Sequence, residues 1–167
     1  MWRWSRRYLI GYKWSVTELE LTDVELVDRL PHVHIEHHDA DHYRGWFRRE
    51  LVFNRCRGCG NWLQPMRPMC PSCWSWDVEP LPVSGRGTIH LALLLHQGPP
   101  APGVDYSNGP YPVVTVELAE QEALRYTSTV IDVPVADVRI GMDVELAWIE
   151  RHGAPFPVFR PATGEVL

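Results

Sequence analysis

Cys56, Cys59, Cys70 and Cys73 are the residues of this chain best suited to chemistry. They are all of its cysteines, and they form two C-x-x-C pairs with ten residues between. One C-x-x-C loop brings two sulfurs to ligand distance of a common point, and two facing loops complete a tetrahedral four-thiolate site. Gly60 follows the first pair, where a knuckle needs positive φ so that its N–H groups reach the sulfurs. Pro71 stiffens the second pair. A four-thiolate set favours zinc, with iron as the second choice. Two disulfides would also use all four cysteines, but nothing marks the chain as secreted. The spacing therefore predicts a zinc ribbon with a structural Zn2+. It leaves no thiol for a nucleophile, and it does not settle function, since ribbons serve many tasks.

A ribbon buries little, so the main core must lie elsewhere, and 167 residues at 45% hydrophobic content leave room for one. The net charge of −5 disfavours a general nucleic-acid binder. No apolar run reaches transmembrane length. The basic, Trp-rich start has an apolar centre, Tyr8 to Tyr12, too short for a signal peptide. The expectation is a cytoplasmic protein without membrane contact. Charge is unevenly placed. Residues 16–42 carry eight acids and one Arg, whereas residues 44–67 carry six Arg and one Glu. That basic block covers the entry to the ribbon and would meet an anion or an acidic partner surface.

Four segments are expected. Residues 1–38 are an N-terminal extension. Within it, residues 1–15 hold the sole lysine, Lys13, and three of the eight tryptophans, and read as foreign; translation is expected to start at Val16. Leu19, Leu21, Val24, Leu26, Val27 and Leu30 suggest a short strand or a partner-binding strip. His32, His34, His37, His38 and His42 read as a solvated polar helix face rather than a second metal site. Residues 39–80 are a helix plus the ribbon. Asp39 can cap the helix, and Tyr43, Trp46, Phe47 and Leu51 recur on one face. That face either packs on its own ribbon or docks on another subunit. Trp62, Trp74 and Trp76 either pack the ribbon or stand at an interface.

Residues 81–162 alternate as strands, and 163–167 are a tail. Strands are expected over residues 85–96, 111–118, 124–131, 144–149 and 156–159, with a connector at 135–139. Gly85 and Gly87 suit a bulge that bends the first strand. His90 and His96, six apart, are read as polar positions on a wet face. Five strands with a break after the third match an OB-fold barrel. The fold class is thus mostly β, with an N-terminal helix, a rubredoxin-like ribbon and a five-stranded OB-fold barrel. No P-loop or G-x-G-x-x-G is present.

Several segments together carry a family likeness. They are the helix Tyr43 to Leu51, Cys56 to Gly60, Pro65-Met66-Arg67, Cys70 to Cys73, Val83 to Thr88, Val138 to Val144 and Pro157 to Pro161. In this order they resemble the acyl-CoA-associated zinc-ribbon/OB-fold family, long catalogued as a domain of unknown function. The likeness spans residues 40–162; residues 1–38 and the proline-rich loop 98–112 depart from it. The resemblance implies a non-catalytic accessory subunit of a thiolase-superfamily enzyme, either a thiolase or an acyl-CoA aldolase of the kind that shortens steroid side chains. It implies docking through helix and ribbon, with Tyr43, Trp46 and Phe47 as docking candidates. It also implies a coenzyme A thioester as shared ligand.

Coenzyme A carries phosphates, and the planar fork of Arg suits them. Arg67, Arg86 and Arg160 are the candidates to hold it. The main rival reading is a single-stranded nucleic-acid module, because ribbons and OB barrels both bind nucleic acid. Only residues 44–67 have the charge for it, so nucleic acid is not expected as a partner. A rubredoxin-like electron carrier is the second rival.

Overall fold

The computed structural model describes residues 21–96, 104, 106–107 and 109–163. The expected start at Val16 lies outside them. Two helices lead in. The first, α1 (Asp23–Arg29), opens on a reciprocal cap: Thr22 Oγ1 accepts from Glu25 N–H at 3.3 Å, and Glu25 Oε2 accepts from Thr22 N–H at 2.9 Å. Its Leu26 is fully buried. Where a short strand was one of the two expectations, the segment is therefore a helix. The T-x-x-E spacing was its signal, since it satisfies two orphan N–H groups at once.

Residues 32–38 are not helical, so no polar helix face forms there. The second helix, α2 (Ala40–Arg48), begins where expected but without the Asp39 cap. Asp39 instead accepts from Glu36 N–H at 2.7 Å and ties down the preceding turn. Arg49 ends α2 in the left-handed region at φ 57°.

The ribbon is a three-stranded antiparallel sheet in the order β2-β1-β3, formed by β1 (Val52–Cys56), β2 (Trp62–Leu63) and β3 (Val78–Pro82). The barrel sheet has the order β6-β5-β4-β7-β8. Its strands are β4 (Arg86–Leu95), β5 (Tyr111–Leu118), β6 (Arg125–Ser128), β7 (Asp143–Arg151) and β8 (Ala154–Pro161). A single 3-10 turn, Val135–Asp137, fills the expected connector. The sheet closes where the segment after β6 runs parallel to β8. Ile131 N–H donates to Phe159 O at 2.8 Å, and Phe159 N–H to Thr129 O at 2.9 Å. β5 alternates strictly, burying Pro112, Val114, Val116 and Leu118, as a strand with one face on a core must.

The bulge falls not on Gly85 and Gly87 but further along the strand. Pairing with β5 slips between Ile89 and Leu91, so His90 is the extra residue and lies exposed. Gly85 and Gly87 have another task, close approach. A Cβ at Gly85 would meet Leu146 Cβ at 2.4 Å, and one at Gly87 would meet Glu117 O at 2.3 Å. Beyond the bulge, Leu91, Leu93 and Leu94 stand exposed on the arm of β4.

Ribbon and barrel share a core. Leu51 and Phe53, at the start of β1, are fully buried in one cluster with Ile89, Val114, Val116, Leu124 and Phe159. A second cluster joins α1, α2 and the β7–β8 hairpin through Leu26, Leu30, Trp46 and Ala154. Among the described residues no helix is long and apolar enough to cross a membrane.

Candidate functional site

The four cysteines converge as their spacing requires. Cys56 ends β1, Cys59 lies in the turn that follows, and Cys70 and Cys73 bracket a second turn. All four Sγ atoms lie within 4.8 Å of one another. The Cys56–Cys73 and Cys59–Cys70 pairs stand 3.5 and 3.6 Å apart. A tetrahedron with metal–sulfur bonds of about 2.3 Å has edges of about 3.8 Å. The cluster is thus shaped for one tetrahedral ion, and none of the four is in a disulfide. Burial works to raise the Cys70 thiol, but N–H groups of Cys73 and Ser72 and the neighbouring thiols bring it down to about 6. Zn2+ fits this donor set, with all four thiolates as ligands and no position left open for chemistry.

The knuckles are near copies. Gly60 N–H donates to Cys56 O at 2.8 Å, and Trp74 N–H to Cys70 O at 2.9 Å. Gly60 has φ 77°, as expected; Trp74 has φ 61°. Trp74 and Trp76 project from the second knuckle at 71% and 72% exposure. Trp62 packs against the shared core and carries Arg55 over its ring at 5.5 Å.

Trp46 is not available as an open docking surface. It is 6% exposed and packs among Leu26, Leu30, Ala40 and Ala154, with Phe156 edge-on at 5.6 Å. Tyr43 and Phe47 are half-buried against the same cluster. Most of this face is covered by α1 and the β7–β8 hairpin rather than by the ribbon alone.

Behind Trp46 lies His42, 4% exposed. Its Nδ1 lies 2.7 Å from Val52 O, which only accepts, so Nδ1 carries the proton. Nε2 then accepts from Trp46 Nε1–H at 3.3 Å. The ring stacks on Phe53 at 5.6 Å. Desolvation pushes its pKa down to about 4, against the opposing hydrogen bond to Val52.

The basic block is compensated from within. Arg44 pairs with Asp23 and Asp41, Arg48 with Glu50, Arg49 with Glu150, and Arg57 with Glu79. Arg55 instead donates to Gly60 O at 3.1 Å, so the block carries less free charge than its sequence suggests. Of the arginines expected to hold phosphate, two come together. Arg86 pairs across the sheet with Glu145, and Glu145 with Arg160. Arg160 bonds Glu145 through Nε at 2.8 Å, while Arg86 flanks the same carboxylate position on the next strand. Arg67 lies exposed on the ribbon, a different element.

Two family models match this architecture in order. Residues 48–79 match the ChsH2 rubredoxin-like zinc ribbon domain, and residues 81–149 the ChsH2 C-terminal OB-fold domain. The chain belongs to the ChsH2/DUF35 family. It is 33% identical over 97 residues to a DUF35 domain-containing scaffold protein of Methanocaldococcus jannaschii, covering 57% of this chain and 64% of that one. It is also 33% identical over 105 residues to a namesake from Pyrococcus furiosus, covering 63% and 71%. Among solved structures, a chain of the Ltp2-ChsH2(DUF35) aldolase superposes with TM-score 0.70 at 32% identity, over 78% of this chain and 99% of that one.

Proposed function

We propose that this DUF35 chain is a non-catalytic accessory subunit that docks on a thiolase-superfamily enzyme, a thiolase or an acyl-CoA aldolase, in the cytoplasm. The observation that carries the reading is the likeness to the DUF35-type aldolase chain, which extends over 99% of that chain. The ribbon adds physical support. Its thiolates are all spent on one ion, so its contribution to a complex is a rigid surface. Trp74 and Trp76 are large exposed apolar anchors of the kind that dominate interfaces. Tyr43 and Phe47 contribute through their outer edges, and Trp46 holds the helix that presents them. Leu91, Leu93 and Leu94 on the β4 arm are further exposed apolar side chains, on the barrel.

In this reading the barrel also helps bind the acyl-CoA. Arg86 and Arg160 straddle Glu145 on adjacent strands. A phosphate arriving there would take Arg160 from its carboxylate and gain a two-arginine clamp. Arg67 would serve from the ribbon. Substrate choice, including steroid side chains, belongs to the partner's pocket.

The test is capture from the native host with the tagged chain, followed by mass identification of what is retained. A thiolase-superfamily protein at fixed stoichiometry is expected. Thioester turnover by the isolated chain, or capture of single-stranded DNA with steep salt dependence in place of such a protein, would overturn the reading.

A further inference from the structure

A cavity of about 140 Å³ opens between the turn that follows α1 and the β7–β8 hairpin. An apolar space of about 150 Å³ admits a benzene ring. Its wall is built from Leu30, Val33, Trp46, Ala154, Pro155 and Phe156, so it favours an apolar occupant about one ring in size. Two cations also line it, Arg29 at the end of α1 and Arg151 at the end of β7. No Asp or Glu does. Arg29 is exposed and Arg151 half-buried, so both heads are reachable from solvent.

These arginines differ from those of the basic block, which have acids of their own. Cζ of Arg29 stands over the Phe47 ring at 5.3 Å, and Cζ of Arg151 over Phe156 at 4.9 Å. A ring face steadies a guanidinium without satisfying its N–H donors as a carboxylate would. Among the described residues neither guanidinium has an ion pair or a hydrogen bond. The acids near them in the chain are turned away or taken. Glu25, one turn before Arg29, feels its charge, but accepts from Thr22 N–H and Oγ1 at 2.9 and 2.8 Å. Asp28 adjoins Arg29 on the helix, where neighbours do not share a face. Glu150, next to Arg151, is bonded by Arg49 at 2.9 Å. Two forked cations beside a ring-sized apolar space therefore lack an anion. We infer that this cavity binds a small amphipathic carboxylate, an aryl or branched alkyl acid whose apolar body fills the space beside Trp46 and Phe156 and whose carboxylate is held by Arg29 and Arg151.

Titration calorimetry of the full zinc-loaded chain tests this. Phenylacetate is the probe, phenylacetamide its uncharged isostere, and acetate the head without the body. Phenylacetate is expected to bind at least about tenfold more tightly than either. Arg29→Gln and Arg151→Gln should each weaken it several-fold at unchanged zinc content and melting temperature. Arg139→Gln, at an exposed arginine that does not line the cavity, should not. Equal binding of acid and amide overturns the inference, as does full affinity in the chain carrying both Arg29→Gln and Arg151→Gln. So does the lack of saturable binding by phenylacetate and 4-methylpentanoate up to about 20 mM in the unmodified chain, where misfolding of a variant cannot be the cause. The last arm is the dipeptide N-acetyl-phenylalanyl-aspartate amide. If it binds at least about tenfold more tightly than phenylacetate, the occupant is a pair of side chains on a protein partner, and the assignment to a free acid falls.

Discussion

Trp74 holds in the second knuckle the backbone place that Gly60 holds in the first. Each follows the second cysteine of its pair, and each N–H returns to the carbonyl of the first, Cys56 or Cys70. Both are left-handed, at φ 77° and 61°. Glycine takes that conformation freely, whereas a residue with a Cβ does so at a cost of about 1–2 kcal/mol. The Trp74 side chain is 71% exposed, so packing within this chain recovers little of that. Strain kept at an exposed aromatic points to a use outside the chain.

Trp74→Gly is therefore expected to stabilise the zinc-loaded chain by about 1 kcal/mol. The check is the midpoint of urea unfolding at equal zinc content. A lower midpoint would mean that the indole packs on the ribbon after all.

His42 gives the fold an acid sensitivity of known sign. Its folded pKa is about 4, below the ordinary 6.5. Between those values the unfolded chain binds the proton and the folded chain does not, so stability falls as pH falls through that window. From pH 7 to pH 5 this one group should cost about 2 kcal/mol. His42→Phe should be less stable at pH 7, having lost the bond to Val52 O, but should show a flatter profile over the same range. The measurement is unfolding free energy against pH with zinc bound throughout. Parallel profiles for the two proteins would rule out His42 as the sensor.

Much of this was legible in the sequence, and the exceptions have physical causes. The metal set was readable because four cysteines leave few ways to be satisfied. The barrel strands were readable because β5 alternates without a break. The α1 helix is hard to read because the apolar run over residues 19–30 has no clean helical period and only the Thr22/Glu25 cap marks its start. With α1 hidden, part of the cover over Trp46 is hidden too. The bulge lies at His90 and not on Gly85 or Gly87, because a sequence displays glycine flexibility but not cross-strand register. The compensation of the basic block by Asp23, Glu79 and Glu150 joins residues far apart in sequence, and charge runs do not encode such pairs. The His42 network needed Val52 and Phe53 brought opposite α2, which only the tertiary fold supplies.

Zinc loss should reach the barrel. β1 ends on the ligand Cys56 and starts beside Leu51, with Leu51 and Phe53 fully buried in the barrel's own core. Removing the ion frees one end of a strand whose other end is part of that core. Stripping zinc with a strong chelator, or Cys59→Ser, should lower a single cooperative melting transition by about 10 °C or more. Near-ultraviolet circular dichroism and the unfolding of β-sheet should move together. A second transition left at the original temperature would show a barrel that stands without its ribbon.

Docking can be separated from folding by comparing two tryptophan positions. Trp46 is 6% exposed and donates to His42, so Trp46→Glu places a charge in the cluster that joins α1, α2 and the β7–β8 hairpin. Burial of an unpaired carboxylate costs several kcal/mol, and any loss of partner in that variant would follow from loss of structure. Trp74 and Trp76 stand in solvent. Trp74→Glu with Trp76→Glu should leave zinc content and melting temperature within a few degrees of the original. If they anchor the partner, the double variant should weaken the complex by about a hundredfold or more, since interface tryptophans each contribute about 2 kcal/mol when they are hot spots. Size-exclusion chromatography of the co-expressed pair, with zinc measured across the peak, reads both quantities at once. An intact complex from the double variant would move the docking surface off the second knuckle and leave the β4 arm, with Leu91, Leu93 and Leu94, as the next surface to substitute.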